Sequence, residues 1–381
     1  MMGRRVGAWA AMVAAGSLGV APAQVLLRDG GEIDATRVLG VSLDGVEVRS
    51  DQGEPVQIDW SRVAEVRGEF AESAALFGEY AEKAWRARTR LARGDAVAAE
   101  PLFEELFTIY GGRQGATPAV VCEGLFRCRL RRGARAAAVQ AWIGMLVAGE
   151  PGSASSLVDR ETGLIPSLPP IWLGEAAAAL LANEPWVTED DEQRGAGAER
   201  AFMLLELYRA AAGESVGSDG VLPGADSSDF GVRLVRAMVL CQSERAEDRL
   251  AGRAALRVLR EERPATWIES WADLGTGLSL VGNAPEDDRL RGVVSLLRVP
   301  ALSARESPYL AGLGLAFAAR ALHDQGDARG AMRVLSELEV LFPGHPALRW
   351  EGLDAIRGRG APGSAMQWGG RDDRTRETGA S

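Results

Sequence analysis

Three glycines, Gly94, Gly133 and Gly326, sit in one repeated frame, and that frame constrains this chain more than any other feature. Six residues before each stands an arginine: Arg88, Arg127 and Arg320. Five residues after each stands an alanine: Ala99, Ala138 and Ala331. Bulky apolar residues follow at nine (Phe103, Trp142, Leu335) and at twelve (Leu106, Met145, Leu338). A glycine between two helical patterns marks a hairpin turn, because it accepts a backbone conformation closed to other residues. A helical hairpin cannot bury its apolar face alone, so repeated hairpins stack on one another. The expected fold class is therefore mainly α, an array of helical hairpins.

The best copy reads Leu315-x-x-Ala318-Ala319-x-x-Leu322-x-x-x-Gly326-Asp327-x-x-x-Ala331-x-x-x-Leu335-x-x-Leu338-x-x-x-x-Pro343. It resembles a tetratricopeptide repeat: a small residue in the first helix, a Gly-Asp turn, an alanine in the second helix and a closing proline. Residues 80–111 are similar through Ala87, Gly94-Asp95, Ala99 and Phe103, with Gly111 in place of the proline. Residues 119–150 match most loosely, with Phe126 where a small residue is expected. The resemblance covers about a quarter of the chain. It implies that the first helices line a concave face, and that Arg88, Arg127 and Arg320 are binding residues of that groove, able to grip carboxylates of acidic peptides bidentately.

Elsewhere the register weakens. Hairpins are expected at about 229–262 and 266–298, with Gly282-Asn283 as a turn. Thr117-Pro118 and Ser307-Pro308 read as helix starts, an N-cap hydroxyl before a proline at the first helical position. The run Leu164 to Pro170 reads as a connector packed between helices, or as a polyproline ligand for a partner. Thr188 with Glu189-Asp190-Asp191-Glu192 reads as a capping box.

Residues 24–69 have a different period. Short alternating runs, Glu32–Val41, Val46–Arg49 and Val56–Trp60, are separated by Asp29-Gly30-Gly31, Asp44-Gly45 and Gln52-Gly53. Their order resembles small SH3-like or Sm-like barrels. The segment holds more acids than arginines, against an RNA-binding role.

The N-terminus reads as a secretory leader: Arg4-Arg5, an apolar run from Val6 to Val20, then Ala21-Pro22-Ala23, with cleavage before Gln24. The run is shorter than the roughly 20 residues of a spanning helix, so no stable membrane span is expected after cleavage and the location is periplasmic or secreted. The domain reading is 1–23 leader, 24–69 β module, 70–355 helical repeats and 356–381 disordered tail. The formal charge of −10 argues against nucleic acid. Cys122 and Cys128 lie on one expected helix about 9 Å apart along its axis, beyond the roughly 7 Å a disulfide spans. With Cys241 they read as free buried thiols.

Catalytic signals are scarce. There are two histidines, His323 and His345, and no P-loop, no dinucleotide glycine motif, no H-E-x-x-H and no C-x-x-C. No catalytic residue, metal site or cofactor is assigned. The expected function is a noncatalytic, exported protein–protein interaction scaffold, with other envelope or periplasmic proteins as partners. The alternative is a carbohydrate-active enzyme of the α-helical toroid kind, which needs convergent acids and aromatics on loops.

Overall fold

The computed structural model describes residues 24–34, 37–149, 157–173, 196–213, 221–282 and 285–358. The leader, the 188–192 capping box, Asn283 and nearly all of the tail therefore lie outside the described residues. The chain divides into two compact units, one running to Trp85 and one from Arg86 onward.

The first unit holds six strands: β1 Gln24–Leu27, β2 Glu32–Ile33, β3 Val38–Ser42, β4 Gly45–Arg49, β5 Pro55–Ile58 and β6 Val63–Arg67. They form two antiparallel three-stranded sheets, ordered β2-β1-β6 and β3-β4-β5. The single long strand expected over 32–41 is two strands, one in each sheet. The alternation is plain in β4, where Val46 and Val48 are buried and Glu47 and Arg49 exposed. Both sheets feed one core with Val25, Ile58, Trp60, Val63 and Val66. That core extends past the strands to Ala74 and Ala81, in helices α1 (Ala71–Ala75) and α2 (Gly78–Ala92). Trp60 is 2% exposed, and its indole N–H donates to the carbonyls of Ser42 and Leu43 at 3.0 Å, so its polar edge is satisfied.

Helices follow one another through the second unit: α3 Ala96–Tyr110, α4 Ala116–Arg131, α5 Arg135–Ala148, α6 Ala196–Ala211, α7 Phe230–Cys241, α8 Ala246–Glu262, α9 Thr266–Val281, α10 Glu286–Ser303, α11 Pro308–Asp324 and α12 Ala328–Leu341. The protein is thus mainly helical after a small sheet region, as expected. Hairpins α7/α8 and α9/α10 fall where the pattern placed them. Among the described residues no helix is long and apolar enough to cross a membrane.

The three turns that set the sequence frame share one structure. Gly94, Gly133 and Gly326 have φ of 86°, 79° and 85°. Each glycine N–H bonds the carbonyl three residues back, and the next N–H bonds the carbonyl five back: Asp95 to Arg90, Ala134 to Arg129, Asp327 to Leu322. These are Schellman closures, with glycine supplying the left-handed residue that ends the first helix. Asp95 and Asp327 then cap the second helix by accepting from Ala98 and Gly330; Ala134 has no side-chain cap. Ala99, Ala138 and Ala331 are all fully buried.

Two expected helix starts differ. Thr117 is not an N-cap: α4 begins at Ala116 with Gly115 as its cap, so Thr117 and Pro118 lie inside the first turn, where proline is tolerated. Ser307 does precede α11 with Pro308 in the first turn, but its hydroxyl makes no cap bond. The three cysteines are free and buried. Burial pushes the Cys128 thiol up to about 11 and the Cys241 thiol up to about 12.

Candidate functional site

Part of the helical array is covered by the chain itself. Residues 157–173 form the connector in which Leu164, Ile165, Leu168 and Ile171 are at most 1% exposed. Its carbonyls are taken one by one by side chains from the helices. Arg200 on α6 donates to the Thr162 carbonyl, and the Trp271 indole on α9 to that of Pro166 at 2.8 Å. The Tyr208 hydroxyl on α6 donates to Leu168 at 2.6 Å, and the Gln242 amide at the end of α7 to Pro170 at 2.9 Å. Leu173 then packs on a cluster containing Leu315 and Ala319 of α11. The proline-rich run is a packed connector, not a free polyproline ligand. The array also meets itself across the sequence: the Arg135 guanidinium at the start of α5 lies 3.3 Å over the Tyr309 ring at the start of α11.

The three arginines singled out by spacing face three environments. Arg88 on α2 is exposed. Arg127 on α4 is half-buried and pairs with Glu123 one turn back, at 2.6 Å. Arg320 on α11 is 6% exposed; its Nε donates to Asp324 at 2.9 Å and its Nη1 to the Gly352 carbonyl at 3.0 Å. That last guanidinium holds the short turn Glu351–Leu353 onto α11.

A different arginine set is presented around α8. This helix is held close to its neighbours by glycine. A Cβ on Gly252 would meet the Cys241 backbone nitrogen at 2.8 Å and the Ala237 carbonyl at 2.9 Å. Across the next interface, a Cβ on Gly275 of α9 would meet Leu256 at 2.7 Å. With Leu256 and Leu259 buried inward, the outward face carries Leu250 and Val258, 61% and 53% exposed, with Ala254 between them. A groove of about 600 Å³ runs along one side of this ridge, lined by Arg233 and Arg236 of α7. One of about 370 Å³ runs along the other, lined by Arg253, Arg257 and Arg260.

The charges of these grooves are unevenly matched. Arg233 pairs with Glu262 at 2.6 Å, and Arg253 donates to the Ser279 hydroxyl at 3.3 Å. Arg236, Arg257 and Arg260 make no hydrogen bond or ion pair among the described residues, and the Nε of Arg236 is buried without a partner. Asp273, on α9 beside groove residue Ala272, is 4% exposed. Its Oδ2 lies 3.4 Å from the Arg298 guanidinium without forming a hydrogen bond. Burial raises its pKa above the usual carboxylate range, opposed by Arg298 and Arg260 and aided by Glu269. Among the described residues no three His, Cys, Asp or Glu side chains gather as ligands for a metal ion.

The signal for this surface was present in the sequence. From Arg249 to Arg260 the helix carries arginine at 249, 253, 257 and 260 and no acid, a spacing that keeps all four on one stripe. In a chain where arginine supplies nearly all positive charge, that stripe did not stand out from the background. No protein-family model, curated protein or solved structure matches this chain.

Proposed function

We propose that this chain is an exported, noncatalytic scaffold that presents tetratricopeptide-like hairpins, beside an SH3-like or Sm-like β module, to other envelope proteins. The observation that carries the reading is the outward face of α8. In a chain of net charge −10, it presents Arg257, with Arg236 of α7 across the ridge, neither paired with a carboxylate among the described residues, on either side of exposed Leu250 and Val258, and Arg260 near the buried Asp273. Unpaired guanidinium groups beside apolar surface are a recognition chemistry, since arginine is enriched where proteins bind proteins. Because the connector 157–173 occupies the helix surfaces that carry Tyr208, Gln242 and Trp271, the reading puts partner contact on the exposed face of α8.

Export rests on the leader pattern of residues 4–23. Affinity capture from the envelope fraction, with the processed chain as bait, tests the scaffold reading. A small, reproducible set of stoichiometric partners is expected, and sequencing of the exported bait is expected to start at Gln24. Turnover of envelope polysaccharide by the purified chain, with no protein retained, would place it among enzymes instead.

A further inference from the structure

Resting on the scaffold reading, the geometry points to one kind of partner: we propose that α8 docks an acidic amphipathic helix of another protein. A helix that presents an apolar seam flanked by like charges is built as one half of a helix pair, with the partner supplying the complementary seam and opposite charges. Leu250, Ala254 and Val258 recur every fourth residue and form that seam. Arg253, Arg257 and Arg260 flank it on one side, and Arg236 of α7 faces it on the other. The acids of α8 itself lie at its ends: Glu247 and Asp248 before the stripe, Glu261 and Glu262 after it. Glu262 is occupied by Arg233 and Asp248 by Ser243, so the middle of the helix offers positive charge alone.

Spacing favours a helix over an extended strand. Arg253 to Arg260 rises about 10.5 Å along the axis at 1.5 Å per residue. Carboxylates at positions i, i+4 and i+7 of a second helix rise by the same amount. Three carboxylates on one face of an extended strand, at alternate residues, span roughly 13.5 Å, beyond the arginine spacing. A partner helix lying along α8 places each carboxylate opposite one guanidinium and its leucines on the Leu250–Val258 seam. The desolvated seam supplies affinity, and the charges set orientation and exclude basic helices.

The test uses the full processed chain and a fluorescein-labelled synthetic helix with glutamates at i, i+4, i+7 and i+11 beside a leucine stripe. The control is a peptide of identical composition in scrambled order. Saturable binding is expected for the patterned helix, at least tenfold weaker for the scrambled one, and weaker as salt rises. The exposed double substitution Arg257→Glu, Arg260→Glu is expected to weaken binding at least tenfold, and Leu250→Ala severalfold. Arg257→Gln, Arg260→Gln, with an unchanged melting curve, separates lost contact from lost folding. Equal binding of both peptides, or parental binding by both double variants, would overturn the proposal. So would concentration-dependent dimerisation abolished by those variants, since the face would then belong to a second copy of this chain. Envelope partners still captured by the double variants would remove the acidic helix while leaving the scaffold reading in place.

Discussion

The hairpins at the two ends of the helical array use glycine both in a left-handed turn and inside helices, as at Gly124 and Gly314, whereas those in its middle use it for packing without a left-handed turn glycine. In α2/α3, α4/α5 and α11/α12 the turn glycine sits at φ near 80°, with no side chain close enough to obstruct a Cβ. There it supplies a backbone conformation, and alanine lets the helices approach. In α7/α8 and α9/α10 the glycines sit inside helices, at Gly252, Gly275, Gly277 and Gly292, where the space a Cβ needs is already filled. A Cβ on Gly277 would meet Leu296 at 2.6 Å, and one on Gly292 the Gly277 carbonyl at 3.0 Å. The first use fixes local geometry and repeats in sequence. The second brings helix backbones together and leaves no periodic trace.

The largest effect is expected where backbone meets backbone. Gly252→Val forces methyl groups against the Cys241 nitrogen and Ala237 carbonyl, atoms that cannot rotate away. Overpacking of this kind costs about 3 kcal/mol, and the α8 surface should be lost with it. Thermal unfolding and peptide binding are measured together. A melt at the parental temperature would mean that α7 and α8 are not in contact through glycine.

Next comes a pH effect at the closing end of the array. The His345 ring is 7% exposed; its Nδ1 accepts the Ala347 N–H at 3.1 Å, so Nε2 carries the proton and donates to the Tyr309 carbonyl at 3.0 Å. Burial holds its pKa down at about 4, against the usual 6.5, with the nearby Arg135 adding to the shift and the Tyr309 bond opposing it. Between those values the unfolded chain binds more protons than the folded one. The contribution of this group is therefore full above pH 6.5 and is lost as pH falls toward 4, by about 3 kcal/mol at most at 1.36 kcal/mol per unit. Denaturant midpoints measured from pH 7 to 4 should fall, and most of that slope should vanish in His345→Gln.

Gly326→Ala measures the turn use of glycine against the packing use. The new Cβ has open space around it, so the cost is the left-handed backbone alone, roughly 1–2 kcal/mol. Gly94→Ala and Gly133→Ala should cost the same, because the three turns share their hydrogen bonds. Costs that differ widely among the three would break the equivalence on which the repeat frame stands.

Much of the fold was legible because its signals are local. Period-two runs with Gly turns marked the sheet region, and the glycine frame marked three hairpins. Even the middle hairpins were readable from apolar periodicity, although their glycine contacts were not. The packed connector at Leu164 to Pro170 was legible, but the groups that satisfy it were not, because its donors, Arg200, Tyr208, Gln242 and Trp271, lie 38 or more residues beyond the carbonyls they satisfy. The arginines chosen from the frame share a sequence position but not an environment. Arg320 is turned inward by Asp324 and the Gly352 carbonyl, which spacing within one hairpin does not encode.

The smallest effect has the opposite sign and lies in the middle hairpins. Asp273 is the acidic counterpart of His345: a buried titratable group, but one whose folded pKa is raised. Its folded state favours the protonated acid, so this group lowers stability as pH rises from the unfolded carboxylate range through its folded value. Burial therefore outweighs the attraction of Arg298 and Arg260. Asp273→Asn keeps the shape and removes the buried charge, and near neutral pH it should raise stability by about 1 kcal/mol, as replacing poorly matched buried charges often does. The gain should shrink as pH is lowered, while the His345 loss grows over the same range, so the two substitutions read the two regions separately. An Asp273→Asn protein that melts lower at pH 7 would mean that the Arg298 pairing at 3.4 Å is a net stabilising contact, and that the middle hairpins are held by charge as well as by glycine.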